Sequence, residues 1–319
     1  MSYIAALRCR EGGVLVADTQ ETYGDEKQYT EKLAVSPDRL YPLAVGGAGI
    51  DVITDAFPQE LLERVTADPP NTKHKLIKMV REAIREVYAS DVPLAVLSAQ
   101  ERTAEFLVAA KPRNDNFVML RLRGKRVYEV TEDYAIVGFA TAANKALLKR
   151  MYRENLTMHR AVLLASFLVS QSKVTDAYVG GSTRIALVAE IGASFEDRTH
   201  VANIEKRASD FLELMDDLFF NCADLTSRDV DFANELEICK QKLLNLRQEH
   251  KRITASRFFS EPDRMAEVNW HPYPYLLDEF VLKIGLDKTT FSEEEQDLSR
   301  MREMVKDVKE KVKDNKSEP

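Results

Sequence analysis

A serine stands at position 2, behind a methionine that a small second residue normally allows to be removed. With Met1 gone, Ser2 would carry a hydroxyl and a free α-amine on one residue. A serine hydroxyl is a poor nucleophile near neutral pH unless a base lies within hydrogen-bond reach. An α-amine, with an unperturbed pKa of about 7.7 to 8, can take and return a proton there, directly or through a water. Downstream, the turn Glu11-Gly12-Gly13 joins two apolar runs and would fold Asp18 back towards Ser2, on the order of 10 Å away by strand rise. A third strand can bring Lys32 between them. A lysine held by Asp18 would stay charged, lower the pKa of its neighbours and stabilise an alkoxide as it forms. The chemistry is acyl transfer from an amide or peptide bond through an acyl-enzyme ester. Asp18 and Lys32 also fit a structural ion pair.

The elements that must position these residues follow from pattern. Tyr3 to Arg10 and Val14 to Thr19 read as a strand hairpin, apolar on both faces near their middles, as in a sheet covered on each side. Strands at Glu31 to Val35 and Tyr41 to Val45 follow a polar loop. From Asp51 to Ala89 the apolar spacing becomes helical, with Asp68-Pro69-Pro70 dividing two antiparallel helices. Strands return at Pro93 to Ser98, Ala104 to Ala110, Phe117 to Leu122, Val127 to Val130 and Tyr134 to Val137. A second helix pair spans Thr141 to Arg153 and Thr157 to Gln171, the latter capped by its threonine and apolar enough to be buried. Ala177 to Ile191 closes the region as a strand pair, or one long strand bent around Gly180-Gly181. The fold class is α+β, and the order of elements describes a four-layer α-β-β-α sandwich.

After Gly192 the chain turns to long, charged amphipathic helices, Ile204 to Phe220 and Val230 to Ile253. A WHPYPY loop (Trp270 to Tyr275) and a Ser292 capping box precede a frayed tail. The expected division is a catalytic-type domain over 2–191 and a helical extension over 192–319.

Composition narrows the function classes. In 319 residues, 45 Lys and Arg against 52 Asp and Glu leave a net charge of −7, which argues against nucleic acid or an anionic membrane as partner. The cysteines Cys9, Cys222 and Cys239 are odd in number and lack any C-x-x-C, so reduced thiols and a cytoplasmic location fit best. Neither a signal peptide nor a membrane span is read, and the five histidines show no metal-ligand spacing. Gly46-Gly47-Ala48-Gly49 lacks the Lys-Ser/Thr of a phosphate loop. No cofactor and no metal are expected.

Taken in order, these residues resemble the N-terminal nucleophile (Ntn) hydrolases of the proteasome β-subunit type, including the bacterial ATP-dependent peptidase of that fold. That family's mature chain begins with a nucleophilic threonine, then a strand, a glycine turn, a strand ending in Ala-Asp-Thr, and a lysine on the third strand. Here Ser2 leads into YIAALRCREGGVLVADT, with the family's separation from nucleophile to aspartate. Lys32, in EKLAV, falls where the family has its lysine, after a shorter loop. Gly46-Gly47 corresponds to the family's Ala-Gly segment. Asp176, Tyr178, Gly180 and Gly181 match its Asp-x-Tyr-x-Gly-Gly segment. The resemblance spans residues 2 to 191. It implies Ser2 as nucleophile, Asp18 and Lys32 as its electrostatic support, Gly47 as oxyanion donor, and Asp176 as the holder of the terminal amine. It also implies a homo-oligomer acting on peptide or amide substrates, with an AAA-type ATPase unfoldase as partner.

Two departures bear on that transfer. Phe139 stands where the family has a serine, with Thr141 nearby, and Val179 replaces another serine. The appended helical region is absent from the ring-forming peptidases. The competing readings are a non-catalytic assembly subunit or binding module of the same fold, and an amidohydrolase of a small acylated metabolite.

Overall fold

Apolar runs with no polar face can be buried only between two other layers, and the first two strands meet that condition. The computed structural model describes residues 2–23, 26–37, 41–90, 103–138, 142–223 and 229–260. Strands β1 (Tyr3–Cys9) and β2 (Gly12–Asp18) form the expected hairpin, with Ile4 opposite Ala17 and Cys9 opposite Gly12. Glycine is needed at its turn because a Cβ on Gly13 would lie 2.0 Å from the Phe117 ring. Five antiparallel strands make the first sheet, in the order β10 (Tyr134–Gly138), β1, β2, β11 (Thr183–Ala189), β12 (Gly192–Phe195). The second sheet is also antiparallel. It runs β5 (Leu33–Val35), β6 (Leu43–Ala48), β7 (Glu105–Ala110), β8 (Val118–Arg123), β9 (Arg126–Glu129).

Alternate residues of β1 and β2 serve two separate cores. Tyr3, Ala5, Leu7, Val14 and Val16 pack with α4 (Met158–Thr175) and its neighbours α3 (Ala142–Met151) and α5 (Arg198–Ala223). Ile4, Ala6, Leu15 and Ala17 pack instead against Leu33, Ala44, Leu107 and Ala109 of the second sheet. That sheet's other face meets α1 (Asp51–Ala67) and α2 (Lys73–Ser90) through Ile53, Phe57, Leu61, Val80 and Ile84. The chain is thus mixed α/β, with two five-stranded antiparallel sheets and six helices among the described residues.

Helix α4 shows how a nearly all-apolar helix tolerates its serines. Ser166 and Ser172 are buried and donate to the carbonyls of Val162 and Leu168 at 2.9 and 2.8 Å, so neither hydroxyl lacks a partner. Thr157 caps its start by accepting from the Arg160 amide. At the other end Lys173 reaches Glu205 of α5 at 2.8 and 3.0 Å, and Thr183 donates to the same carboxylate.

The structure differs from the pattern reading at two places before α5. The polar loop after Thr19 holds a two-stranded hairpin, β3 (Gln20–Tyr23) and β4 (Glu26–Tyr29). The closing strand pair turns at Glu190 and Ile191, not at Gly180-Gly181, which belong to the loop before β11. The expected strand Pro93 to Ser98, the WHPYPY loop, the Ser292 cap and the tail lie outside the described residues. By contact the chain divides into units of residues 1–246 and 247–319, with the boundary inside α6 (Asp229–Ser260). No helix among the described residues is long and apolar enough to cross a membrane.

Candidate active site

The C-terminal end of β2 delivers Asp18 into full burial, at 0% exposure. A carboxylate there needs donors for its lone pairs, and it has four. Its Oδ1 accepts from the Tyr3 amide at 2.9 Å and from Lys32 Nζ at 3.0 Å. Its Oδ2 accepts from the Gln20 and Gly180 amides, each at 3.2 Å. Lys32, whose side chain is 2% exposed, also donates to the Gln20 carbonyl. Burial pushes the Lys32 ammonium below its ordinary range, while the Asp18 carboxylate and then Glu21 pull it back up. A buried ion pair offsets its desolvation only when further hydrogen bonds support it, and here three backbone amides serve the carboxylate and a backbone carbonyl serves the ammonium.

Ser2 immediately precedes the amide that shares Oδ1 with Lys32, and it is 6% exposed. It falls in the same alternation as Ile4 and Ala6, whose side chains face the second sheet. Gly138 closes over its backbone. With φ at 77°, a Cβ on Gly138 would stand 2.1 Å from the Ser2 carbonyl oxygen and 3.0 Å from Ala48 Cβ. Only glycine fits that approach.

The other expected members lie around this centre by different routes. Gly47 is tied to Lys32 through the backbone, its N–H donating to the Lys32 carbonyl at 3.3 Å. As the chain stands, that donor is engaged in extending the β5–β6 ladder. Asp176 ends α4 and is buried. Its Oδ1 accepts from the Tyr178 amide at 2.9 Å, and its Oδ2 has no partner among the described residues. Asp176 is joined to the Asp18 centre through its own segment. Val179 bonds back to the Asp176 carbonyl at 3.2 Å, and the next residue, Gly180, donates to Asp18. Val179 itself is in the apolar core against α4. Phe139 and Thr141 lie outside the described residues.

Gln20 was not foreseen in the site. Its N–H, its carbonyl and its side chain, which donates to the Ala177 carbonyl at 2.9 Å, hold together Asp18, Lys32 and the segment after Asp176. A polar residue directly after the Asp-Thr pair was its faint signal. Beside Lys32 a groove of about 730 Å³ runs between Glu31 to Ala34 and one face of α1, including Asp55, Gln59, Leu62 and Glu63. Among the described residues no group of three or more His, Cys, Asp and Glu is placed to hold a metal ion.

No family model matches the chain, and no curated protein matches it. Solved structures do. Anbu from Yersinia bercovieri, described as an ancestral beta-subunit, superposes with a TM-score of 0.56 at 18% identity, over 67% of this chain and 96% of that one. The Anbu complex of Pseudomonas aeruginosa, solved as a helical assembly, gives 0.56 at 18% identity, over 67% and 95%. A Gly-1 mutant of Anbu from Hyphomicrobium sp. strain MC1 gives 0.55 at 17% identity, over 67% and 96%. The chain therefore shares the proteasome-like fold of these proteins.

Proposed function

We propose that this chain is an N-terminal serine hydrolase that cleaves amide or peptide bonds, built on a four-layer α-β-β-α sandwich of the Ntn-hydrolase type. Three separate apolar cores, one between the sheets and one under each helix layer, support that layering. The observation that carries the functional reading is the meeting of Lys32 Nζ and the Tyr3 amide on one buried oxygen of Asp18. A cation held next to the residue that follows the candidate nucleophile supports the reading that Lys32 would steady charge developing on Ser2.

In the proposed reaction Met1 is first removed. The Ser2 hydroxyl attacks the substrate carbonyl carbon and passes its proton to its own α-amine. The amine returns the proton to the departing nitrogen as the C–N bond breaks, leaving an ester on Ser2. Water then hydrolyses that ester by the same proton route. Asp176 would orient the α-amine, its buried free oxygen being the feature that suits it. Gly47 would act as oxyanion donor by exchanging its 3.3 Å bond to Lys32 for one to the substrate. The groove beside Lys32 is large enough for a side chain and flanking backbone of a peptide.

In the same reading the chain works as a cytoplasmic homo-oligomer, for which the helical assembly of the Pseudomonas aeruginosa Anbu complex is the supporting likeness. An ATPase unfoldase would be its partner. Residues 2–191 are the catalytic part and 192–319 the helical extension. β12 prolongs the first sheet just past that division.

The second reading is a non-catalytic assembly module, favoured by the engaged N–H of Gly47. Intact-mass analysis separates the two. The full chain is treated with a peptide epoxyketone, which reacts jointly with a hydroxyl and its neighbouring amine, beside Ser2→Ala as control. One adduct on the chain lacking Met1, and none on the variant, is the expected result. A chain that lacks Met1 and takes no label after long exposure overturns catalysis by Ser2.

A further inference from the structure

We propose that Glu105 is a positioning residue for Ser2, acting through Gly138. The inference rests on the reading of Ser2 as nucleophile. On β7 the alternation that sends Leu107 and Ala109 into the core between the sheets places Glu105 on that same face, at the strand's end. A carboxylate at the rim of an apolar interlayer needs a reason, and its contacts supply one. One oxygen accepts from the Gly138 amide at 3.3 Å. The carboxylate is also held by Arg121 at 3.3 and 3.4 Å and approached by Arg123 at 3.6 Å. Both arginines extend from β8, the neighbouring strand, so the carboxylate is braced on its own sheet while it grips the other.

Gly138 is the point where that grip matters. It is the register partner of Tyr3, and the space where its side chain would stand is closed by the Ser2 carbonyl and the Ala48 Cβ. Ala48 in turn is the register partner of Glu105 and the residue after Gly47. Glu105 therefore ties β10, the ladder neighbour of the strand that follows Ser2, to β7, the ladder neighbour of the strand carrying the candidate oxyanion donor. Catalysis is sensitive to such spacing, since a displacement of about 1 Å costs on the order of a hundredfold in rate.

The test uses the full chain with Glu105→Ala, Glu105→Gln and the double variant Arg121→Ala/Arg123→Ala. One readout is amide hydrogen exchange at Gly138, and the other is the rate of epoxyketone labelling at Ser2. Glu105→Ala is expected to speed exchange at Gly138 by about tenfold or more. It should slow labelling by about ten- to a hundredfold. The Gln variant, which keeps an acceptor oxygen, should return both to within about threefold of wild type. If Glu105→Ala does not fold, the arginine pair replaces it and should shift both readouts in the same direction. Exchange at Gly138 equal to wild type, or a Gln variant as slow as Ala, overturns the proposal. Should wild type take no label at all, the reading of Ser2 fails. The exchange result still decides whether Glu105 holds the strand end.

Discussion

Asp18→Ala and Lys32→Met break the same ion pair from opposite sides, and the geometry makes their costs unequal. Removing Asp18 leaves an ammonium at 2% exposure with the Gln20 carbonyl and only the more distant charge of Glu21, and takes the Asp18 acceptor from the Tyr3 and Gly180 amides, while the Gln20 amide keeps its bond to the Gly180 carbonyl at 3.1 Å. Leaving one buried charge uncompensated costs about 3–5 kcal/mol. Each orphaned buried N–H adds up to about 1–3 kcal/mol before relaxation. Lys32→Met, by contrast, leaves a carboxylate that still accepts three backbone N–H bonds, and a thioether of similar length fills the space. The three remaining N–H bonds offset part of the cost of a lone buried carboxylate, so the penalty of Lys32→Met should be smaller than that of Asp18→Ala by at least about 1.5 kcal/mol. Urea titration of both variants and wild type, followed by far-UV circular dichroism with slopes compared, measures the gap. If Lys32→Met proves as costly as Asp18→Ala, the carboxylate is not the hub and the reasoning about backbone donors is wrong.

Other outcomes follow from the same contacts. Because burial lowers Lys32 below its unfolded value of 10.5, the unfolded chain binds more protons between the folded value and 10.5. The penalty for a buried ammonium is complete below the folded value and fades as pH rises through that window. Wild-type stability measured relative to Lys32→Met should therefore increase from pH 7 towards pH 10, and a decrease would contradict the sign. Gly138→Ala sets a Cβ against the Ser2 carbonyl at positive φ. It should lower stability by about 1–3 kcal/mol in the same titration and abolish Ser2 labelling, whereas unchanged labelling would mean that Ser2 need not sit where it does. Burial, reinforced by Glu11, pushes the Cys9 thiol up to about 12, so iodoacetamide at pH 8 should modify it only after denaturation, as mapped by peptide mass.

What the sequence conveyed depended on how far each feature's signal extended along the chain. Tyr3 to Asp18 is legible because two apolar runs flank a glycine turn, and α4 because an unbroken apolar helix has to be buried. The β3–β4 hairpin was hidden by its own chemistry. Its strands are polar, β4 is exposed throughout, and no alternation marks a face. The glycines at 180 and 181 suggest the turn of a strand pair or the bend of one long strand, but the turn falls at Glu190 and Ile191, while the Gly180 backbone serves Asp18, Thr19 and Gln20. In the site, Asp18 and Lys32 were visible as a charged pair at hairpin spacing. The Gln20 carbonyl, the Gly180 amide and the Gly138 approach are backbone contacts, and backbone has no sequence signature. Glu105 looked like any charged strand end until its register placed it across from Ala48.

The hub at Asp18 draws on chain positions from Tyr3 to Gly180, through β1, β2, the start of β3, the residue before β5 and the loop leading into β11. A nascent or partly unravelled molecule lacks at least one of these donors, so under the proposed mechanism Ser2 would have no preorganised surroundings. Competence would then arrive in one step with the completed architecture, and a half-built protein would be harmless to its neighbours.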